Sequence, residues 1–348
     1  MKAAVIVDST AYLSEALAQH PDVYQVALSV NFSDGSVMKD TSDLQLLNEF
    51  YTRLKSENQL PTTSQPQPGD YLALLDQLVA AGYDTVYAIH LSSEISGTYQ
   101  TARMLLSEYE DKLDAYAVDS GSSCMVMEIL VKEALDWIDQ GLSAEQVGRR
   151  LEWSARHSDV YLMVGDLNNL VKGGRLSASS ALLGNILQIR PLLHFEQGKI
   201  AVTEKIRTTK KVYRRMVELV AEWQTRYPQG VHVGIGQAGA PEDLKVLDEM
   251  MKEAYPGMPL SYTNIGPVIG THTGDGTKGL GIVPKLPAEG KGVGTLLSNA
   301  ICLTMATFLF VEVLVIPDIN AIHQMVGGLM QNKVCPFTGR GDILNQVN

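Results

Sequence analysis

The first half of the chain alternates short apolar runs with segments of helical periodicity. The apolar runs predict strands over residues 3–7, 23–30, 85–89 and 115–118. Helical patterns separate or follow them, for example over residues 13–18 and 44–54. Because strands that alternate with helices pair in parallel, this half predicts an α/β fold with a doubly wound, mostly parallel sheet. Ligands of such sheets bind beyond the carboxyl ends of the strands.

Two clusters of hydroxyl side chains lie beside these strand ends or turn signals. The first cluster is residues 62–64, and the second is residues 92–98. A helical pattern after the second cluster places Ser96, Gly97 and Thr98 at a helix amino terminus, where free N–H groups favour a negative ligand. Helix capping alone also explains either cluster taken singly. If the two loops converge, they predict one anion site.

Composition and charge restrict the class of protein. The chain has 348 residues, enough for two domains, and is 45% hydrophobic and 19% charged. Its formal net charge of -11 argues against nucleic acid or an anionic membrane as the main partner. Cys124, Cys302 and Cys335 have no metal spacing or disulfide density, and the amino terminus runs straight into a predicted strand. We expect a cytoplasmic protein without metal or cofactor.

The second half predicts an α+β domain. Residues 192–196 and 199–202 form a predicted hairpin around the Gln197-Gly198 turn. Further strands are predicted over residues 160–164, 231–235, 260–262 and 279–283, and helices over 144–158, 182–187, 212–227 and 241–255. Antiparallel strands with helices on one face suit this pattern better than a second doubly wound sheet. We therefore predict an N-terminal α/β domain at 1–152, a C-terminal α+β domain at 153–286 and a tail at 287–348.

Seven short motifs follow one another along residues 1 to about 286. They are VDST at 7–10, TSQP at 63–66, LSSEISGTY at 91–99, VDS at 118–120, GGRLS at 173–177, KIRT at 205–208 and GPVIGTH at 266–272. In this order and at these separations the chain resembles the DegV family of bacterial fatty-acid-binding proteins, which includes the lipid-binding subunit of bacterial fatty acid kinase. One departure is Asp275, which lies where the family usually has Gly-Pro-Gly and adds a negative charge near the expected anion site.

The resemblance implies a long-chain fatty acid whose carboxylate is held between the two domains and whose acyl chain enters an apolar tunnel. Thr63 and Ser96 are expected to donate hydrogen bonds to the carboxylate, and Arg175 and His272 to line the same site. The supporting loop residues would be Ser64, Ser93, Gly97 and Thr98. Hydroxyl and backbone N–H donors are a reasonable way to satisfy a buried carboxylate.

The resemblance also implies that the protein is not an enzyme. It would carry the fatty acid, offer the carboxylate to a separate fatty acid kinase catalytic subunit, and make transient contact with a membrane. The tunnel candidates are Leu182, Leu183, Ile186, Leu187, Cys124, Met125 and Met127. The basic strip is Lys205, Arg207, Lys210 and Lys211. In an otherwise acidic protein this strip predicts a docking surface for an acidic partner, although a solvated face explains it equally well.

Two other functional classes have support in the sequence. Gly234, Gly236 and Gly239 match the dinucleotide fingerprint G-x-G-x-x-G, but the βαβ context and the acidic residue about 20 positions later are missing.

A serine hydrolase is the stronger alternative. Ser93 or Ser96 would be the nucleophile and His90 or His272 the base, although the chain has no G-x-S-x-G elbow.

The tail extends beyond the resemblance and begins with a Gly-rich linker at residues 290–294. Residues 300–316 are apolar apart from Thr304, Thr307 and Glu312, and their length is at the short limit for a membrane span. An oligomerisation or membrane-touching helix, a buried extra helix and a segment without an evolved role are the alternatives. The last is favoured because the recognised domain is complete without the tail.

Overall fold

The computed structural model describes residues 1–177, 190–239 and 241–287. The predicted helix at 182–187 and almost all of the predicted tail lie outside the described residues. The strands are β1 (Ala3–Asp8), β2 (Val23–Val26), β3 (Ser29–Asn31), β4 (Val37–Lys39), β5 (Thr62–Ser64), β6 (Thr85–His90), β7 (Asp114–Asp119), β8 (Asp159–Met163), β9 (Arg190–Glu196), β10 (Lys199–Ile206), β11 (Val231–Gln237), β12 (Leu260–Asn264) and β13 (Lys278–Pro284). The helices are α1 (Glu15–Ala18), α2 (Leu44–Ser56), α3 (Pro68–Ala80), α4 (Thr98–Ser107), α5 (Met125–Asp139), α6 (Ala144–His157), α7 (Leu167–Lys172), α8 (Thr209–Arg226), α9 (Pro241–Ala254) and α10 (Pro267–Thr273).

A parallel sheet of four strands, in the order β2-β1-β6-β7, forms the first half. Alternate residues of β1 point to opposite faces, as strand geometry requires. Val5 and Val7 belong to the apolar cluster that contains α5, whereas Ala4 and Ile6 belong to the cluster of α3 and α4. Helices therefore cover both faces, and the predicted doubly wound parallel sheet is confirmed.

The predicted strand over residues 23–30 is wrong, because the chain forms two strands there. Strand β2 pairs with β1, but β3 belongs to a separate antiparallel sheet in the order β4-β3-β5. Between them, the Leu28 N–H donates to Ser9 Oγ at 3.0 Å instead of to a strand. Thr63 consequently lies on β5, where it pairs with Val30, and not on a loop.

The second half forms a six-stranded sheet in the order β10-β9-β8-β13-β11-β12. The hairpin of β9 and β10 is confirmed, and most neighbours are antiparallel. Strand β12 is parallel to β11, because α9 crosses over between the two strands. Helices α8 and α9 pack on one face, and α5 and α6 contact the other. The expected arrangement of helices on a single face is therefore wrong.

Four glycines let α5 approach this sheet closely. Gly234 and Gly236 of β11 face Gly281 and Gly279 of β13 in the antiparallel register. A Cβ atom at any of the four would lie within 2.8 Å of a Met125 atom. Two of the three fingerprint glycines are thus explained by helix–sheet packing, and the dinucleotide interpretation loses its support.

Helix α5 joins the two halves into one core. Val5 of β1, Leu130 of α5 and Leu162 of β8 belong to the same apolar cluster. Residues 1–286 form one compact unit, and the division at residue 152 stays a prediction. None of the helices among the described residues has the length and apolar character that a membrane span requires.

Candidate functional site

A cavity of about 210 Å³ lies where β5, the loop after β6, the β9–β10 hairpin and α10 meet. Its apolar wall includes Leu28, Leu91, Leu162, Phe195, Ile200 and Ile269. Thr63, Ser96, Arg175 and His272, which are the four predicted carboxylate-binding residues, all line it. These four residues, which are up to 209 positions apart in the chain, therefore share one cavity. Their role in binding stays a prediction.

A hydrogen bond joins two of these residues across the cavity wall. The Thr63 Oγ1 and His272 Nε2 atoms are 2.9 Å apart. Burial, together with the positive charge of Arg175, lowers the pKa of His272 to about 4. His272 is therefore neutral near pH 7. Its Nδ1 atom is buried and has no hydrogen-bond partner in the part of the chain that the structure describes.

The Ser96 loop precedes α4, as the sequence predicts. Backbone N–H groups of Ile95 and Ser96 both donate to the Ser92 carbonyl, which makes a tight turn. Ser96 Oγ accepts from the Thr98 N–H at 3.3 Å and lies 2.9 Å from Thr98 Oγ1. The hydroxyl cluster thus supports the start of the helix while Ser96 still lines the cavity.

Gln65 is a cavity residue to which sequence reasoning assigned no role. Its Nε2 donates to Thr101 Oγ1 on α4 at 2.9 Å, so that it connects the chain after β5 to the helix after the Ser96 loop. A Cβ atom at Gly97 would lie 2.6 Å from Gln65 Oε1. The TSQP motif contained Gln65, but the partner on α4 is 36 positions away.

Arg175 connects the second half of the protein to the Ser96 loop. Its Nε donates to the Ile95 carbonyl at 3.3 Å, and its Nη1 donates to the Gly173 carbonyl. Gly174 has a φ of +69°, the left-handed conformation that favours glycine. Gly173 packs directly against the His272 ring, where a side chain would collide with Nδ1. The Gly-Gly-Arg sequence therefore positions both the Arg175 guanidinium and the His272 ring.

The four supporting residues differ in their positions. Ser64 and Gly97 line the cavity, and Ser64 Oγ accepts from Asn31 Nδ2 at 2.7 Å. Thr98, at the start of α4, does not line the cavity, but its hydroxyl lies within hydrogen-bond distance of Ser96 Oγ. The Ser93 N–H donates to Asp119 Oδ1 at 3.2 Å, so Ser93 ties the loop to the end of β7.

The tunnel candidates among the described residues are core residues. Met125 packs on the glycines of β11 and β13, and Met127 Sδ accepts from Thr10 Oγ1 at 3.5 Å. Cys124 is buried, and its Sγ accepts from Ser123 Oγ. Of this segment, Ser123 lines the cavity. The other candidates, at 182–187, lie outside the described residues.

The negative charge of Asp275 is compensated. Its Oδ2 forms an ion pair with Lys55 Nζ at 2.7 Å. Gly165 and Gly239 pack tightly against this residue. The departure from the family pattern therefore adds an ion pair between α2 and the loop after α10, and not an uncompensated charge beside the site.

The serine hydrolase alternative finds no support in the geometry. His90 is buried with both ring nitrogens engaged, Nδ1 with Asp8 Oδ2 at 3.1 Å and Nε2 with the Tyr71 hydroxyl at 3.0 Å. His272 Nε2 is engaged with Thr63, and Ser96 Oγ with Thr98.

The described residues include no group of three or more His, Cys, Asp or Glu side chains that could hold a metal ion.

The cavity combines an apolar wall with hydroxyl, imidazole and guanidinium groups, a mixture of apolar lining and a few polar groups that is typical of ligand pockets. The chain belongs to the DegV family, because the family model described as "Uncharacterised protein, DegV family" matches residues 2–285. The predicted family is thereby confirmed.

The relatives match almost over their full length. A DegV domain-containing protein of Listeria innocua is 36% identical over 279 residues, which are 80% of this chain and 97% of the relative. Protein DegV of Bacillus subtilis is 35% identical over 281 residues, 80% of this chain and 98% of the relative.

Solved structures have the same fold. The fatty acid binding DegV family protein from Streptococcus agalactiae aligns with a TM-score of 0.75 at 33% identity, over 82% of this chain and 100% of that chain. DegV, a fatty acid binding protein from Bacillus subtilis, aligns with a TM-score of 0.73 at 35% identity, over 82% and 100%. The predicted fold class is confirmed by these neighbours.

Proposed function

We propose that this protein binds a long-chain fatty acid, with the carboxylate at Thr63 and Ser96 and the acyl chain along the apolar wall of the cavity. The observation that carries the proposal is the hydrogen bond between Thr63 and His272 in the wall of an otherwise largely apolar cavity. Two structural neighbours at 33% and 35% identity are described as fatty acid binding, which supports the same ligand class.

The tautomer of the neutral His272 ring decides whether the Thr63 hydroxyl can donate to the ligand. A neutral imidazole carries one hydrogen. With that hydrogen on Nε2, the ring donates to Thr63 Oγ1, and the Thr63 hydroxyl hydrogen is free to donate to the carboxylate. With the hydrogen on Nδ1, the ring would bury an N–H without a partner and would compete for the Thr63 hydrogen. We therefore place the hydrogen on Nε2.

Ser96 has the same arrangement. Its Oγ accepts from the Thr98 N–H and is within hydrogen-bond distance of the Thr98 hydroxyl. With the Thr98 hydroxyl as the donor of that pair, the Ser96 hydrogen is available to the ligand. The Arg175 guanidinium, held by the Ile95 and Gly173 carbonyls, adds a positive charge to the site. Two hydroxyl donors and one cation are an adequate set for a desolvated carboxylate.

Extraction of the natively purified protein followed by mass spectrometry tests the ligand class. We expect a fatty acid in about equimolar amount, and Thr63→Val protein should retain less. A protein that neither carries a fatty acid after purification nor binds one on addition would contradict the proposal. Ester hydrolysis by the purified protein would instead support the hydrolase alternative.

We further propose that the bound carboxylate is offered to a separate fatty acid kinase, and that this protein is a cytoplasmic carrier and not a catalyst. The basic strip supports a partner of acidic surface, because its four side chains are exposed where β10 ends and α8 begins. Location, membrane contact and the kinase partner stay predictions.

Charge reversal tests the strip. Arg207→Glu should slow complex formation with a fatty acid kinase at low salt and leave lipid binding intact. Lys245→Glu, on the exposed face of α9, is the matched control. If Arg207→Glu and Lys245→Glu both form the complex with the kinase as fast as the unaltered protein, the strip is only solvated surface.

A further inference from the structure

Two buried side chains from the first half of the protein hold the amino-terminal turn of α10. The Val268 N–H donates to Asp40 Oδ1 at 3.0 Å, and the Ile269 N–H donates to the Tyr12 hydroxyl at 3.2 Å. The Tyr12 hydroxyl in turn donates to Asp40 Oδ1 at 3.3 Å. Tyr12 and Asp40, the Tyr12–Asp40 pair, thus satisfy two backbone donors that a helix start leaves unpaired.

Close packing at Gly266 also holds Tyr12 against the start of α10. A Cβ atom at Gly266, directly before α10, would collide with the Tyr12 ring and would lie 2.5 Å from the Thr41 carbonyl oxygen. Tyr12 itself has a φ of +45°, a left-handed conformation that is costly for a residue with a large side chain. Strained residues of this kind persist where the surrounding structure requires a particular geometry.

Burial of the Asp40 carboxyl group at this position is energetically unfavourable. Burial raises the pKa of its carboxyl group to about 7. Its Oδ2 atom has no hydrogen-bond partner among the described residues. Neighbouring titratable groups are Tyr12, Tyr51, Cys124 and Asp8, none of which supplies a positive charge. The buried Asp40 carboxyl group provides the hydrogen-bond acceptor for the Val268 N–H in the first turn of α10.

The helix that the pair holds is also the helix that carries the site. Val268, Ile269 and His272 of α10 all line the cavity, and His272 follows Val268 by four positions, about one helical turn. A shift of the first turn therefore moves the His272 ring relative to Thr63.

We propose that Tyr12 and Asp40 are positioning residues, which act through α10 to set the hydrogen bond between His272 and Thr63. Their effect on ligand affinity rests on the proposed function, whereas their effect on the geometry of His272 does not. The inference is therefore tested first without a ligand.

The first experiment compares histidine ring nitrogen signals in ligand-free protein labelled with ¹⁵N-histidine, with His272 assigned from His272→Gln. Thr63→Val removes the hydrogen-bond partner of His272 Nε2. It therefore gives the reference ¹⁵N signal of a His272 ring without this hydrogen bond. Tyr12→Phe and Asp40→Asn should move the His272 signal toward that position. Tyr109→Phe is the matched control, because its hydroxyl donates to Asp76 Oδ1 at 2.6 Å in a different core cluster.

A merely structural role predicts a different pattern. Tyr12→Phe and Tyr109→Phe would then lower the melting temperature similarly and leave the His272 signal unchanged. If neither Tyr12→Phe nor Asp40→Asn shifts His272 while Thr63→Val does, the proposal is overturned.

The second experiment measures fluorescent fatty-acid affinity in a double-mutant cycle. Tyr12→Phe should weaken binding about tenfold in the otherwise unchanged protein and less than about twofold in the His272→Gln background, since the pair acts through His272. Equal losses in both backgrounds would refute action through His272. If the unaltered protein binds no fatty acid, the proposed function fails, and the nitrogen signals alone still decide the positioning role.

Discussion

Replacement of Thr63 by valine removes one hydroxyl and little else. Valine has nearly the shape of threonine and suits a strand, and the pairing of β5 with Val30 on β3 uses only the backbone. The variant leaves His272 Nε2 without the partner that lies 2.9 Å away, and it removes a donor from the proposed carboxylate site. We therefore expect a folded protein that binds fatty acid less tightly.

The size of the effect follows from the charge of the acceptor. A hydrogen bond to a charged group contributes about 1.5–3 kcal/mol, so the dissociation constant should rise about 10- to 150-fold. The unpaired His272 nitrogen destabilises the free and the bound protein alike, so it should lower stability by about 1–3 kcal/mol without adding to the loss of affinity.

Titration with a fluorescent fatty acid measures the affinity, and urea unfolding measures the stability. Ser96→Ala should weaken binding by a similar factor through the second hydroxyl. Thr62→Val is the matched control, because this neighbouring side chain on β5 is exposed. Unchanged affinity in both Thr63→Val and Ser96→Ala would refute the carboxylate assignment.

Three further predictions concern stability and the tail. Because unfolded His272 is half protonated at pH 6.5 and the folded form only near pH 4, lowering the pH from 6.5 to 5 should cost the protein about 1.5 kcal/mol that His272→Gln does not lose; identical pH slopes in urea unfolding would contradict this. Gly281→Ala should destabilise by about 1–3 kcal/mol because the new Cβ meets Met125, whereas Gly69→Ala, with open space around it, should not, as thermal melts can verify. Since the family match ends at residue 285, deletion of residues 287–348 should preserve the melting temperature and fatty-acid affinity, and an early-melting truncation would show that the tail is structural.

The local pattern was sufficient for much of the fold. Periodicity predicted the strands at residues 3–7, 85–89 and 115–118 within one or two residues, because a buried strand is a short apolar run. The Gln197-Gly198 turn predicted the β9–β10 hairpin, because both residues adopt positive φ there. The seven motifs also contain the four predicted carboxylate-binding residues, all of which line the cavity.

Other features depend on which elements meet. Residues 23–30 are predicted as one strand, yet they enter two sheets, and between the two strands the Leu28 N–H donates to Ser9 Oγ. The predicted strand–helix–strand order over residues 231–262 already implies that β12 is parallel to β11, but the order of the six strands in the sheet depends on which strands meet. Gln65 and the Tyr12–Asp40 pair likewise acquire their partners from α4 and α10, which are distant in the chain.

The glycines of β11 show the difference most clearly. Gly234 and Gly236 match a dinucleotide fingerprint letter by letter, and a sequence motif records only the identity and spacing of residues. In the folded protein these glycines face those of β13 and accommodate Met125, more than 100 positions earlier in the chain. Composition and periodicity determine which segments become strands and helices, but the neighbour that each surface receives is set by long-range packing, and that neighbour decides what the residues do.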